Sequence, residues 1–214
     1  MLRASTSSLL VSTLVALSAC GVRGSGESAT ETRSLDPFTE IEFSGAFDLV
    51  VHVGDYEQKV EVSGDDNIVA RIETRVSGDA LIVEHDGWLR PELPLVVEVW
   101  VGSLASIDAS GATNLDVEGL HGERFELDIS GAADADLLGK VGRFDASISG
   151  AADVDARSLE AESVIINMSG AGEAEVWATR ELEATISGAG HVEYWGEPSE
   201  VRESVSGAGT VHKH

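Results

Sequence analysis

Aligned on a recurring Ser-Gly-Ala tripeptide, the second half of the chain separates into apolar and polar columns. Copies begin at Ser110, Ser130, Ser149, Ser169, Ser187 and Ser206, in steps of 20, 19, 20, 18 and 19 residues, and a further copy at Ser44 stands apart in sequence. One position before each serine sit Ala109, Ile129, Ile148, Met168, Ile186 and Val205, and five before sit Ala105, Phe125, Phe144, Val164, Leu182 and Val201. Mostly polar residues fill the gaps, among them Asp108, Asp128, Ser147 and Asn167. Alternation with period two marks a strand with one buried face. A second apolar column, Leu115, Ala135, Val154, Ala174, Val192 and Val211, follows five positions after each serine. Each repeat therefore reads as strand, corner, strand and return. Repeats of this length stack, each burying its apolar edge on the next.

This pattern predicts an all-β fold: a right-handed parallel β-helix, or β-solenoid, with coils of 19–20 residues over 105–214. The corner serines are expected to lie one above another and to satisfy one another through their hydroxyls. Residues 38–104 read as a β-rich N-terminal cap, antiparallel or mixed, on the first coil. Its strand-like runs are Phe47–Val53, Val60–Val62, Ile72–Val76, Ala80–Glu84 and Leu95–Val101, with hairpin signals at Gly54-Asp55 and Ser77-Gly78-Asp79. Asp65-Asp66-Asn67 is expected to cap a short helix carrying Ile68 and Ile72.

The first twenty residues follow another logic. Arg3, an apolar run Leu9–Leu17 and Leu17-Ser18-Ala19-Cys20 have the layout of a secretory signal. The run is too short to span a bilayer. Leu-Ser-Ala-Cys resembles the lipobox of bacterial lipoproteins, which implies acylation of Cys20, palmitate included, and a membrane partner through the lipid anchor. Gly21 after the cysteine resembles the outer-membrane sorting pattern, with the domain periplasmic or surface-exposed. Residues 21–37, rich in Gly, Ser, Thr and Glu, read as a flexible tether, and 38–214 as one domain.

Charge narrows the partners. With 14 basic and 38 acidic residues, the formal net charge of −24 argues against nucleic acid. Four and six residues after the serines, Asp116, Asp134, Asp136, Asp153, Asp155, Glu173, Glu175 and Glu193 fall on one outward face. They read either as a solvated acidic surface or as a cation- or ligand-binding face on which calcium bridges adjacent coils. Trp177 and Trp195 share a repeat position and are expected to stack at the far end. Trp88 and Trp100 read as core or edge residues, and His212-Lys213-His214 as a frayed tail. No nucleophile elbow, phosphate loop or dinucleotide fingerprint is present, and the single cysteine belongs to the leader.

The order of motifs carries a resemblance. Phe47-Asp48-Leu49-Val50-Val51 and Gly54-Asp55 are followed by Val60-Glu61-Val62-Ser63-Gly64-Asp65-Asp66 and Ser77-Gly78-Asp79-Ala80-Leu81-Ile82-Val83. Ile107-Asp108-Ala109-Ser110-Gly111-Ala112 and the later copies end at Val205-Ser206-Gly207-Ala208-Gly209. Together they resemble the bacterial family called putative auto-transporter adhesin, head GIN domain, from about residue 38 onward. The resemblance implies a β-helical cell-envelope protein and supplies no catalytic residues. Two functions follow as expectations. One is a non-enzymatic, lipid-anchored protein with an adhesin-like or structural role, binding a surface polysaccharide or protein and needing no cofactor. The alternative is a small calcium-dependent polysaccharide lyase, with Arg157 or Arg143 as its basic group.

Overall fold

The computed structural model describes residues 21–214; Arg3, the Leu9–Leu17 run and Cys20 lie outside the described residues. Nine strands and one helix precede the repeats. They are β1 (Val22–Arg23), β2 (Ser28–Arg33), β3 (Glu40–Gly45), β4 (Asp48–Val53), β5 (Lys59–Asp65), α1 (Asp66–Val69), β6 (Ile72–Ser77), β7 (Ala80–His85), β8 (Leu89–Arg90) and β9 (Val96–Val101). The repeats form one extended run, β10 (Ser106–Trp195), followed by β11 (Glu200–Gly207) and β12 (Thr210–Lys213).

The pairings correct the expected right-handed parallel β-helix. The main sheet runs β2-β5-β9-β4-β10-β3-β7-β6, with β11 and β12 also on β10. Three of its ladders, β2–β5, β5–β9 and β6–β7, are antiparallel. The fold is all-β, but as a nearly closed, barrel-like mixed sheet rather than a parallel solenoid under a separate cap. Local turns cause the reversal. The Ser77–Ala80 hairpin folds β6 back on β7 as expected. Gly54-Asp55 does not join a hairpin, because β9 lies between β4 and β5.

Two further expectations change. Residues 21–37 are not a free tether: β2 pairs with β5 along its length, and β1 pairs with β8. β2 buries little side-chain surface, so backbone hydrogen bonds rather than apolar contacts hold this edge. Ser44, remote in sequence, is adjacent in space: β3 lies parallel to β10 with Ser44 opposite Ser110 and Gly45 opposite Gly111. The same register recurs at the far end, with Ser187 opposite Ser206.

One hydrophobic cluster extends from Phe38 to Tyr194, so both halves share a core. Phe125, Leu127, Ile129, Phe144 and Ile148 are buried in it as the alternation predicts, and Phe125 stacks on Phe144 at 6.0 Å. Ala105 is exposed despite its place in the column. The core also runs out at the carboxyl end, where Val201 and Val205 are 37% and 43% exposed.

Candidate functional site: the Ser-Gly-Ala face and its acidic flank

Why the corner needs glycine is visible at Gly150. Its φ is +138°, and an added Cβ would sit 2.1 Å from the carbonyl oxygen of Gly131. Both facts exclude an ordinary side chain. The glycines of the other copies from Gly111 to Gly207 meet the preceding corner in the same way, whereas a Cβ on Gly45 would meet the Phe47 ring. The serines do not form the expected hydroxyl ladder: Ser110 Oγ donates to the Phe43 carbonyl at 3.4 Å. Thr113 Oγ1, buried beneath the corner, donates to the Phe47 carbonyl at 2.6 Å.

The alanines then make a floor. Ala112, Ala132, Ala151 and Ala171 lie along an open groove of about 790 Å³. Pro91, Leu93, Pro94 and Leu95 line it together with Asn114, Asp134 and Asp153. A second groove of about 560 Å³ continues it past Ala46 and Pro91 to His85, Trp88 and Leu89. Trp88 is not a core residue: it is 79% exposed. The Nδ1 atom of His85 is buried without a hydrogen-bond partner.

The acidic residues gather as the repeat predicts. Asp134, Asp136, Asp153, Asp155, Glu173 and Glu175 surround a shallow depression of about 190 Å³. Asp116 continues the column at one end: desolvation, then the charges of Asp136 and Asp48, push its carboxyl above the usual range. Glu193 continues it at the other end, where its charge acts on Glu175. Glu175 is raised chiefly by desolvation, with Arg157 pulling the other way. Other contacts quieten the face. Arg157 bonds Asp155, lies 3.5 Å from Glu175 and sits over Trp195. Its hydrogen bond draws Asp155 below the ordinary carboxylate range. Asp153 accepts the Glu173 backbone N–H at 3.0 Å, and Asn114 donates to Asp48 at 2.8 Å. Among the described residues, no group of three or more His, Cys, Asp or Glu is arranged to hold a metal ion.

Sequence reasoning missed two polar clusters. Asp65 is fully buried and stands at the N-cap position of α1 as expected, but its side chain makes no capping hydrogen bond to the helix. Its carboxylate accepts N–H bonds from Gly26, Glu92 and Leu93 at 2.7, 2.9 and 3.1 Å. Burial pushes its pKa up, but those bonds outweigh it and hold the carboxyl below the usual range. His52 joins Glu118 through Nδ1 at 2.5 Å and Glu98 through Nε2 at 2.9 Å. Desolvation lowers its pKa, yet the two carboxylates prevail and raise it above 6.5. Trp100 stacks on this imidazole at 5.2 Å and carries Lys59 Nζ 3.6 Å from its ring centre. The register sets His52 between Trp100 on β9 and Glu118 on β10, with Glu98 two residues before Trp100 on the same face of β9.

At the far end the two tryptophans each lean on the next repeat instead of on each other. Trp177 Nε1 lies beside Gly196, and Trp195 stacks on His214 at 4.5 Å. The terminal residues are therefore not a frayed tail, since β12 pairs with β10 and His214 Nε2 lies 3.2 Å from Glu193.

The family profile described as "Putative auto-transporter adhesin, head GIN domain" matches residues 37–198. Among curated proteins, none is similar enough in sequence to match. Three solved structures share the fold. A putative adhesin from Bacteroides fragilis NCTC 9343 is 21% identical with TM-score 0.68, over 91% of this chain and 100% of its own. A putative adhesin from Parabacteroides distasonis ATCC 8503 is 23% identical with TM-score 0.56, over 91% and 100%. From the same strain, a "Putative lipid binding protein" is 19% identical with TM-score 0.59, over 91% and 100%.

Proposed function

The chain belongs to the putative auto-transporter adhesin, head GIN domain family, and from that membership we propose that it is a non-catalytic protein of the cell envelope. In this reading, lipid on Cys20 holds it to the outer membrane, and the Ser-Gly-Ala face binds a surface polysaccharide or protein. The family match carries the proposal, and the geometry adds a long groove floored by small side chains and open along its length. Such a floor lets an extended ligand approach the backbone closely, while the carboxylate flank repels anionic ligands.

The lyase alternative requires a basic group. Arg157 lies beside carboxylates, but Asp155 raises its pKa further, so its guanidinium keeps its proton. Arg143 is paired with Asp145, outside the acidic columns. Both arginines act here as structural cations.

Two measurements test the reading. Labelling with a palmitate analogue should mark the wild-type protein, and Cys20→Ser should lose both label and membrane fractionation. Glycan and protein arrays should show binding that an alanine-to-leucine change at Ala132 or Ala151 blocks. Release of unsaturated uronides from polyanionic sugars would replace this proposal with the lyase.

A further inference from the structure

The segment that follows Cys20 has almost no slack. The Val22 N–H donates to the Trp88 carbonyl at 2.7 Å and the Gly24 N–H to the Arg90 carbonyl at 2.9 Å. The Asn67 side chain donates to the Arg23 carbonyl at 2.8 Å. Gly21 lies against Trp88, where an added Cβ would sit 3.0 Å from the Trp88 carbonyl oxygen. Consecutive Cα atoms are about 3.8 Å apart, so a group attached to Cys20 begins one residue from this contact.

The surface at that point differs from the rest of the molecule. Trp88 and Arg23 are largely exposed, and Pro91 lies beside them. Arg90 is exposed and has no carboxylate partner among the described residues. Glu92 is paired with Arg23 at 2.6 Å, and the buried Asp65 carboxylate is taken up by backbone N–H groups, that of Glu92 among them. On a chain of net charge −24, Arg23 and Arg90 set this corner apart from the columns of Asp and Glu on the repeats.

We propose that this corner, centred on Trp88 with Arg23 and Arg90, rests in the headgroup region of the bilayer that holds the Cys20 lipid. The inference rests on the anchoring reading above. Tryptophan favours the membrane–water boundary because its ring is apolar and its N–H polar. The Arg90 guanidinium, which has no carboxylate partner among the described residues, suits a lipid phosphate, and Arg23 can exchange Glu92 for a second. The acidic columns are repelled by anionic headgroups, which favours the Trp88 corner as the contact. The Ser-Gly-Ala groove then starts at the membrane and leads away from it.

The test uses the lipidated protein in phosphatidylcholine–phosphatidylglycerol vesicles, with brominated lipids as the quencher. Tryptophan emission of the wild type should be quenched, and most of the quenched component should vanish in Trp88→Phe, an exposed position where folding is not at risk. Acrylamide should reach Trp88 several-fold less well in vesicles than in the Cys20→Ser protein free in buffer. Equal quenching in wild type and Trp88→Phe overturns the proposal. So does protection of Trp88 in lipid-free Cys20→Ser protein as its concentration rises, which would make the corner a contact between copies. Fractionation and acyl labelling report the anchor separately. An acylated, membrane-bound protein with unquenched Trp88 refutes the docked orientation while leaving the anchor in place.

Discussion

In the amino-terminal half, β6 folds back on β7, and β5 runs antiparallel to both β2 and β9. From Ser106 onward, the pairings of β10 with β3, β4, β11 and β12 are all parallel. The first half relies on turns and on polar groups that bind across strands, such as Asp65 and His52. The second relies on one corner copied in register, where backbone meets backbone at each glycine. A single residue type should therefore have very different importance in the two regions.

Gly150 and Gly78 make the sharpest test. Alanine at Gly150 must relieve both a positive φ and a 2.1 Å contact with the Gly131 carbonyl. The cost should be about 4 kcal/mol or more, visible as a large loss of Tm or failure to fold. Gly78, in the hairpin, has φ +65° and nothing within 4 Å of an added Cβ. Alanine there should cost only about 1 kcal/mol, the price of the backbone conformation alone. Equal costs would remove the distinction.

Asp65 comes next. Asp65→Asn should lower Tm more than Asp153→Asn, because only the first carboxylate is buried among three backbone donors. Its folded pKa lies below the ordinary value of 3.8, so its contribution is present above that value and lost as pH falls through the folded pKa. Thermal melts from pH 5 down to 2 should show a shallower acid limb in Asp65→Asn than in the wild type.

His52 should act with the opposite sign. Its pKa is raised above 6.5 in the folded state, so its stabilisation is full below that value and declines as pH rises through the folded pKa. Wild-type Tm should fall across that window, and His52→Gln should flatten the decline. A decline that persists in the variant would shift the explanation to another group.

The smallest effect belongs to the acidic face. Asp116→Asn relieves repulsion from Asp136 and Asp48 and should raise stability by about 0.5 kcal/mol in low salt, fading as salt is added. A loss of stability on the same substitution, specific to millimolar calcium, would instead indicate a bridged cation.

The repeat made the second half legible. Alternation placed Phe125, Ile129, Phe144 and Ile148 inside, and it placed the carboxylates of Asp134 through Glu175 together outside. A mixed or antiparallel first half and its Ser77-Gly78-Asp79 hairpin were legible, but the strand order that puts β9 between β4 and β5 was not, because long connections set those partners and leave no periodic mark. Ser44 and Ser110 are 66 residues apart, and only the chain's return through β4 to β9 brings them side by side. The β2 segment looked like a linker because its polar composition says nothing about backbone ladders. Of the core-or-edge alternatives for Trp88, the core one fails, although a large aromatic residue usually seeks the interior. Asp65 holds the N-cap position that its neighbours Asp66 and Asn67 suggested, but the partners of its side chain, Gly26, Glu92 and Leu93, lie on segments remote in sequence.

The glycine contacts also constrain how this chain can change in length. Each corner is seated on the backbone oxygen of the one before it, so a residue inserted within a corner unseats it, whereas the returns between corners already absorb steps of 18 to 20 residues. Loss or duplication of one complete unit, corner to corner, leaves each remaining glycine with an equivalent seat. Evolution can therefore lengthen or shorten the groove only stepwise, by whole modules, and relatives with longer or shorter grooves should differ by multiples of a single repeat.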